Sequence, residues 1–172
     1  SILLNLATDC EHVEGNTTEN WRIVPTNAFN SSQAEIQQTW AGLYKAIYNA
    51  NDFIETLSQR MKAYNETDKQ LAYIYLAEAR TIRSICYFEL VRRYGNVPLM
   101  ETTAMSEQAP STFVQEKPEV IYQFIEKDLT YACQVLPYAT EDVQRTNTKY
   151  RLSKGAALGL LTKVYATSVS YT

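Results

Sequence analysis

The sequence predicts an all-α fold, an irregular tetratricopeptide-like (TPR-like) superhelix of stacked helical hairpins. Four stretches carry apolar residues at the helical period, and turn or capping residues separate them. The second pair of stretches resembles the first at an offset of 78 residues, which aligns Tyr44 with Tyr122 and Ala79 with Ala157. A repeated helix–turn–helix unit is typical of TPR stacks, but this offset far exceeds their period of about 34 residues. We therefore expect an irregular stack rather than a regular repeat array.

The first helix is predicted over residues 32–61, after an irregular N-terminal segment with loops at residues 1–31. Ser32 and Glu35 have the spacing of a capping box, which satisfies free amides at a helix start. One stripe of the helix then collects Ile36, Trp40, Leu43, Tyr44, Ile47, Asn51, Ile54 and Leu57. This stripe predicts a long amphipathic helix.

The second helix is predicted over residues 68–94 and should be the most buried, because its apolar residues leave little polar face. Thr67 and Gln70 form a second possible capping box. Gly95 is suited to a positive φ angle at the helix end, and Pro98 prevents the helix from continuing.

A connection without clear period follows at residues 96–117. Pro118 then suits the first position of a third helix, predicted over residues 118–136. Ser153 can cap a fourth helix over residues 153–169, whose apolar side comprises Ala156, Ala157, Leu160, Leu161, Val164 and Tyr165. We expect small residues to allow close helix packing at Ala77, Ala79, Ala156 and Ala157. The aromatic residues of the apolar stripes, including Tyr165, are expected to pack in the core.

Composition limits the classes of function. The chain has 172 residues, is 45% hydrophobic and carries a net charge of -3, so it has no basic patch for nucleic acid. The sequence contains no run of 18 consecutive apolar residues, so no membrane span is predicted. Three distant cysteines predict no metal knuckle, and His12, the single histidine, is interpreted as a loop residue. We predict no metal, no other cofactor and no catalytic residue.

The carboxylates of the second helix do not predict hydrolysis. Glu78 and Glu89 lie eleven residues apart, which is roughly 16 Å along a helix and exceeds the ~5 to 9.5 Å of a glycosidase pair. We interpret Glu89 with Arg93 as an i,i+4 ion pair, and Glu78 with Arg80 or Arg83 as a tie between helices.

The remaining candidate functional residues are two polar residues on apolar stripes and one loop tryptophan. Asn51 and Asp128 are interpreted as internal ties, because a buried polar group needs partners. Trp21 lies in the non-periodic N-terminal segment between Asn20 and Arg22. An aromatic face beside an amide and a guanidinium is a possible carbohydrate platform, so Asn20, Trp21 and Arg22 are the candidate ligand-binding residues.

Four motifs resemble the SusD/RagB family of nutrient-binding lipoproteins of the Bacteroidetes outer membrane. The most specific runs over residues 78–99, E-A-R-T-I-R-S-I-C-Y-F-E-L-V-R-R-Y-G-N-V-P-L. The others are W-A-G-L-Y-K-A-I-Y-N-A-N at residues 40–51, I-E-K-D-L-T-Y-A-C-Q-V-L-P at 125–137 and R-L-S-K-G-A-A-L-G-L-L-T-K-V-Y at 151–165. Thr162 replaces the alanine usual in the family. The motifs occur in the family's order and cover most of the chain.

The resemblance implies a non-catalytic, surface-exposed protein that captures glycans and delivers them to a SusC-like TonB-dependent transporter. Capture of peptides within the same family is an alternative, as is a free-standing TPR-like adaptor for proteins or peptides. An enzyme in the glycan pathway is the weakest hypothesis. The family location is the extracellular face of the outer membrane, reached through a lipid anchor that this chain lacks. Because family members are much longer, we expect this chain to be an N-terminal fragment.

Overall fold

The computed structural model describes residues 34–106, 108, 112–140 and 151–168. The chain divides into two compact units, Ser1–Gly42 and Leu43–Thr172. The predicted irregular segment at residues 1–31 lies outside the described residues, so its separation from the helical part stays a prediction. In the described part the fold is all-α and TPR-like, as the sequence predicts, apart from one short pair of strands.

The first two helices form a hairpin. Helix α1 spans Ala34–Arg60 and ends in a 3-10 turn, Met61–Ala63, after which helix α2 spans Glu66–Tyr94. Ile54, Leu57 and Met61 on the first arm pack against Ala72 and Leu76 on the second. Both arms therefore bury apolar residues at the closed end of the hairpin.

The start of α2 differs from the predicted capping box at Thr67. Asn65 is the N-cap, and its Oδ1 accepts a hydrogen bond from the Asp68 amide at 2.9 Å. The Asn65 side chain also donates to the Asp68 carboxylate at 2.8 Å. Asparagine caps helices at least as well as threonine, so the helix begins two residues earlier than predicted.

Helix α2 carries twelve buried residues, which include Tyr87, Phe88, Leu90 and Val91. It lies between the α1 hairpin arm and a later helix, so two of its faces are covered. Ile82 nevertheless remains 45% exposed. The helix ends at Gly95, whose φ of 70° confirms the predicted positive-φ position.

The connection after α2 contains regular structure that the sequence did not predict. Strand β1, Val97–Pro98, pairs antiparallel with β2, Gln115–Glu116, with Val97 opposite Glu116 and Pro98 opposite Gln115. A single helical turn, α3, spans Thr103–Ser106 between them. Two-residue strands carry no alternating pattern long enough to be recognised in a sequence.

Two further helices complete the described fold. Helix α4 spans Pro118–Val135 with Pro118 at its start, and helix α5 spans Lys154–Ser168. Ser153 Oγ accepts from the Ala156 amide at 3.4 Å, in agreement with the predicted cap. Helix α4 packs against both α2 and α5.

Alanines lie buried where α2, α4 and α5 meet, as the sequence predicts, and this holds for Ala77 and Ala157 but not for Ala156. Ala77, Ala132 and Ala157 are fully buried together with Leu136. Ala156 is exposed and Tyr165 is 45% exposed, so placing these two on the packed side of α5 was wrong. Within the described residues, helix α5 buries only the narrow face that meets α4 and α2.

Candidate functional site

The predicted ligand platform, Asn20, Trp21 and Arg22, lies outside the described residues. The structure therefore neither assembles nor separates these three side chains, and their role stays a prediction. His12 falls in the same part of the chain. The described residues contribute a buried polar network and an open groove on the first hairpin.

Arg83 is the centre of the polar network. It extends from α2 and donates from Nε to Asp128 Oδ2 at 2.8 Å and from Nη2 to Oδ1 at 3.0 Å. The guanidinium also lies 4.7 Å from the ring centroid of Phe124, which adds a cation–π contact. A bidentate pair with both partners buried joins α2 to α4 in one fixed orientation.

Asn51 links this ion pair to the connecting segment. Its Oδ1 accepts from Arg83 Nη1 at 2.6 Å, and its Nδ2 donates to the Met100 carbonyl at 2.9 Å. Arg83 Nη1 also donates to the Glu101 carbonyl at 3.2 Å. The interpretation of Asn51 and Asp128 as internal ties is therefore confirmed.

Two tyrosines hold the same segment from the helical side. Tyr87 donates to the Met100 carbonyl at 3.0 Å and accepts from the Met100 amide at 2.7 Å, and Tyr44 donates to the Pro98 carbonyl at 2.7 Å. Burial raises the pKa of both phenols well above their ordinary value, so they remain protonated donors. Residues 98–100 are thereby fixed to α1 and α2.

Glu55 makes a further contact with the connecting segment, at Thr103. Its carboxylate accepts from the Thr103 amide at 2.8 Å and from the Thr103 hydroxyl at 2.6 Å, at the start of α3. These hydrogen bonds lower the pKa of Glu55 below its ordinary value. The carboxylate also lies at a helix N-terminus, where negative charge is favoured.

The network stabilises the fold and is not arranged for proton transfer. Burial raises the pKa of the Asp128 carboxyl, while the Arg83 guanidinium opposes that rise. Both carboxylate oxygens of Asp128 already accept hydrogen bonds from Arg83. A fully engaged, buried carboxylate has no access to a substrate, which a general acid or base requires.

The two glutamates of α2 are engaged elsewhere. Glu89 pairs with Arg93 at 2.8 Å, as the spacing predicts. Glu78 pairs with Arg151, which donates from Nε at 3.0 Å, so the prediction of Arg80 or Arg83 as its partner was wrong. Arg83 is committed to Asp128, whereas Arg151 reaches Glu78 from the residues just before α5. A partner 73 residues away gives no signal in local spacing.

An open groove of about 410 Å³ lies between α1 and α2. Phe53 and Ile82, each 45% exposed, line it together with three alanines. The lining residues are Ala46, Asn49, Ala50, Phe53, Tyr75, Glu78, Ala79 and Ile82. The lining is mostly apolar, so the groove suits an apolar segment or the flat face of a ring better than a charged molecule.

The described residues lack a metal-binding cluster and a membrane-spanning helix. They contain no group of three or more His, Cys, Asp or Glu side chains that could hold a metal ion. Among the helices of the same residues, none combines the length and hydropathy needed to cross a bilayer.

Comparison with known proteins places the chain among SusD-like sequences. The family model SusD-like_3, described as starch-binding and associating with the outer membrane, matches residues 4–166. A SusD-like protein of Bacteroides ovatus is 32% identical over 127 residues, which are 73% of this chain and 21% of that protein.

Solved structures agree with the sequence match. A SusD homologue of Bacteroides thetaiotaomicron is 60% identical, with a TM-score of 0.85 over 91% of this chain and 29% of its own. A laminarin-binding SusD-like protein is 27% identical, with a TM-score of 0.76 over 95% of this chain and 34% of its own. A structure with xylogluco-oligosaccharide is 29% identical, with a TM-score of 0.70 over 87% of this chain and 27% of its own. The chain thus spans between about a fifth and a third of the length of these relatives.

Proposed function

Because the chain belongs to the SusD-like family, we propose that the full-length protein captures glycans at the extracellular face of the outer membrane. It delivers them to a SusC-like TonB-dependent transporter, without cleaving them. A lipid anchor holds the protein at the membrane. The described helices form the frame, and loops present the ligand-binding groups.

The family match over residues 4–166, with a laminarin-binding relative and a relative with xylogluco-oligosaccharide, carries this proposal. The described structure is compatible with this proposal because its helices form a rigid frame. Arg83 and Asn51 fix the helices and the connecting segment to one another through buried hydrogen bonds. A rigid frame lowers the entropic cost of ordering a binding surface when the ligand arrives.

Asn20, Trp21 and Arg22 are the proposed ligand contacts. The indole ring offers a flat apolar face for the C–H face of a sugar, while the amide and guanidinium offer hydrogen bonds to its hydroxyls. Such a site combines apolar contact with a few orienting polar groups, as small-molecule sites generally do.

A binding panel tests the proposal. We expect the full-length protein to bind one class of glycan in a set that includes laminarin and xylogluco-oligosaccharides, measured by isothermal titration calorimetry. Trp21→Ala should weaken that binding about tenfold or more, equivalent to ~1.4 kcal/mol. Tyr73→Ala is the matched control, because Tyr73 is an aromatic residue 46% exposed on α2, and it should bind like the wild type.

Three outcomes separate the alternatives. Binding to a peptide panel and to no glycan would replace glycan capture with peptide capture or with an adaptor role. Shortened products after incubation with the bound glycan would contradict the non-catalytic assignment. Failure to co-purify with a SusC-like transporter would contradict delivery but not glycan binding.

A further inference from the structure

We draw no further inference here: the strongest candidate, the open groove between α1 and α2 that Phe53 and Ile82 line, is a mostly apolar surface, and nothing in the described structure shows what covers it.

Discussion

Arg83 and Asp128 form a buried, bidentate ion pair between α2 and α4, with distances of 2.8 Å from Nε to Oδ2 and 3.0 Å from Nη2 to Oδ1. Asn51 extends the pair to α1 and to the backbone at Met100. The three helices and the connection after α2 thus share one set of hydrogen bonds. Because the set is buried, its members depend on one another.

Removal of one partner of the ion pair should destabilise the protein strongly. Asp128→Ala leaves the Arg83 guanidinium buried without its counter-charge, and we expect a loss of about 3 to 5 kcal/mol in the free energy of unfolding. Chemical denaturation followed by circular dichroism measures this loss. Lys69→Ala, which removes the exposed pair with Glu66, is the control and should have little effect.

The double variant Arg83→Met, Asp128→Leu gives the stricter test. Replacing both charges with apolar side chains leaves no uncompensated charge, so this variant should be more stable than Asp128→Ala alone. If the double variant were the less stable of the two, packing rather than charge pairing would explain the importance of the site.

Tyr87→Phe should loosen the connecting segment. The hydroxyl is both donor and acceptor for Met100, which is only 5% exposed. Without it, the buried amide and carbonyl lose a partner, at a cost of about 1 to 3 kcal/mol in unfolding free energy. Hydrogen exchange at the Met100 amide should accelerate.

The control for this variant is Tyr73→Phe, at a hydroxyl-bearing residue of the same helix that is 46% exposed. It should change neither stability nor exchange at Met100. If Tyr87→Phe leaves the Met100 amide equally protected, the connecting segment is held without the phenol.

The Glu55–Thr103 contact should make stability depend on pH below about 4.5. The hydrogen bonds from Thr103 lower the pKa of Glu55 in the folded protein from its ordinary value of 4.5. As the pH falls, the unfolded chain is therefore protonated first. The stabilisation is fully present above pH 4.5 and is lost as the pH falls through the folded-state pKa.

Unfolding free energies of the wild type and Glu55→Gln between pH 7 and pH 3 measure this contribution. The difference between them should be constant above about pH 5 and should shrink below it. Thr103→Val removes one of the two donors and should reduce the pH dependence without abolishing it. A difference that grows on acidification would contradict the assignment.

Local signals in the sequence were sufficient for the four long helices and for most of their described ends. The stop at Gly95 and the starts at Pro118 and Ser153 depend on residues within one turn of the helix end, where capping and backbone preferences act directly. Asn51 could be recognised because an amide on an apolar stripe must find partners. The helix start at Asn65 was not predicted because Thr67, two residues later, offers an alternative capping box in the sequence.

The partners of the charged residues could not be predicted in the same way. Arg83 meets Asp128 from 45 residues away and Glu78 meets Arg151 from 73 residues away. The only signal was that Arg83 and Asp128 each fall within an apolar run, where an unpaired charge is too unfavourable to remain. The exposure of Tyr165 was missed for a related reason, because an apolar position in a helix does not reveal which neighbour covers it.

Gly95→Ala should destabilise the end of α2. Gly95 has φ 70° and ψ -111°, a conformation that a residue with a Cβ atom rarely adopts. Alanine there should cost about 1 to 3 kcal/mol in unfolding free energy. Gly42→Ala is the matched control: Gly42 lies within α1 with nothing within 4 Å of an added Cβ, so alanine should stabilise the helix by about 0.5 to 1 kcal/mol. The two substitutions add the same methyl group, so opposite signs in chemical denaturation would isolate backbone strain. A neutral Gly95→Ala variant would show instead that the chain after Tyr94 can turn toward β1 without a positive φ angle.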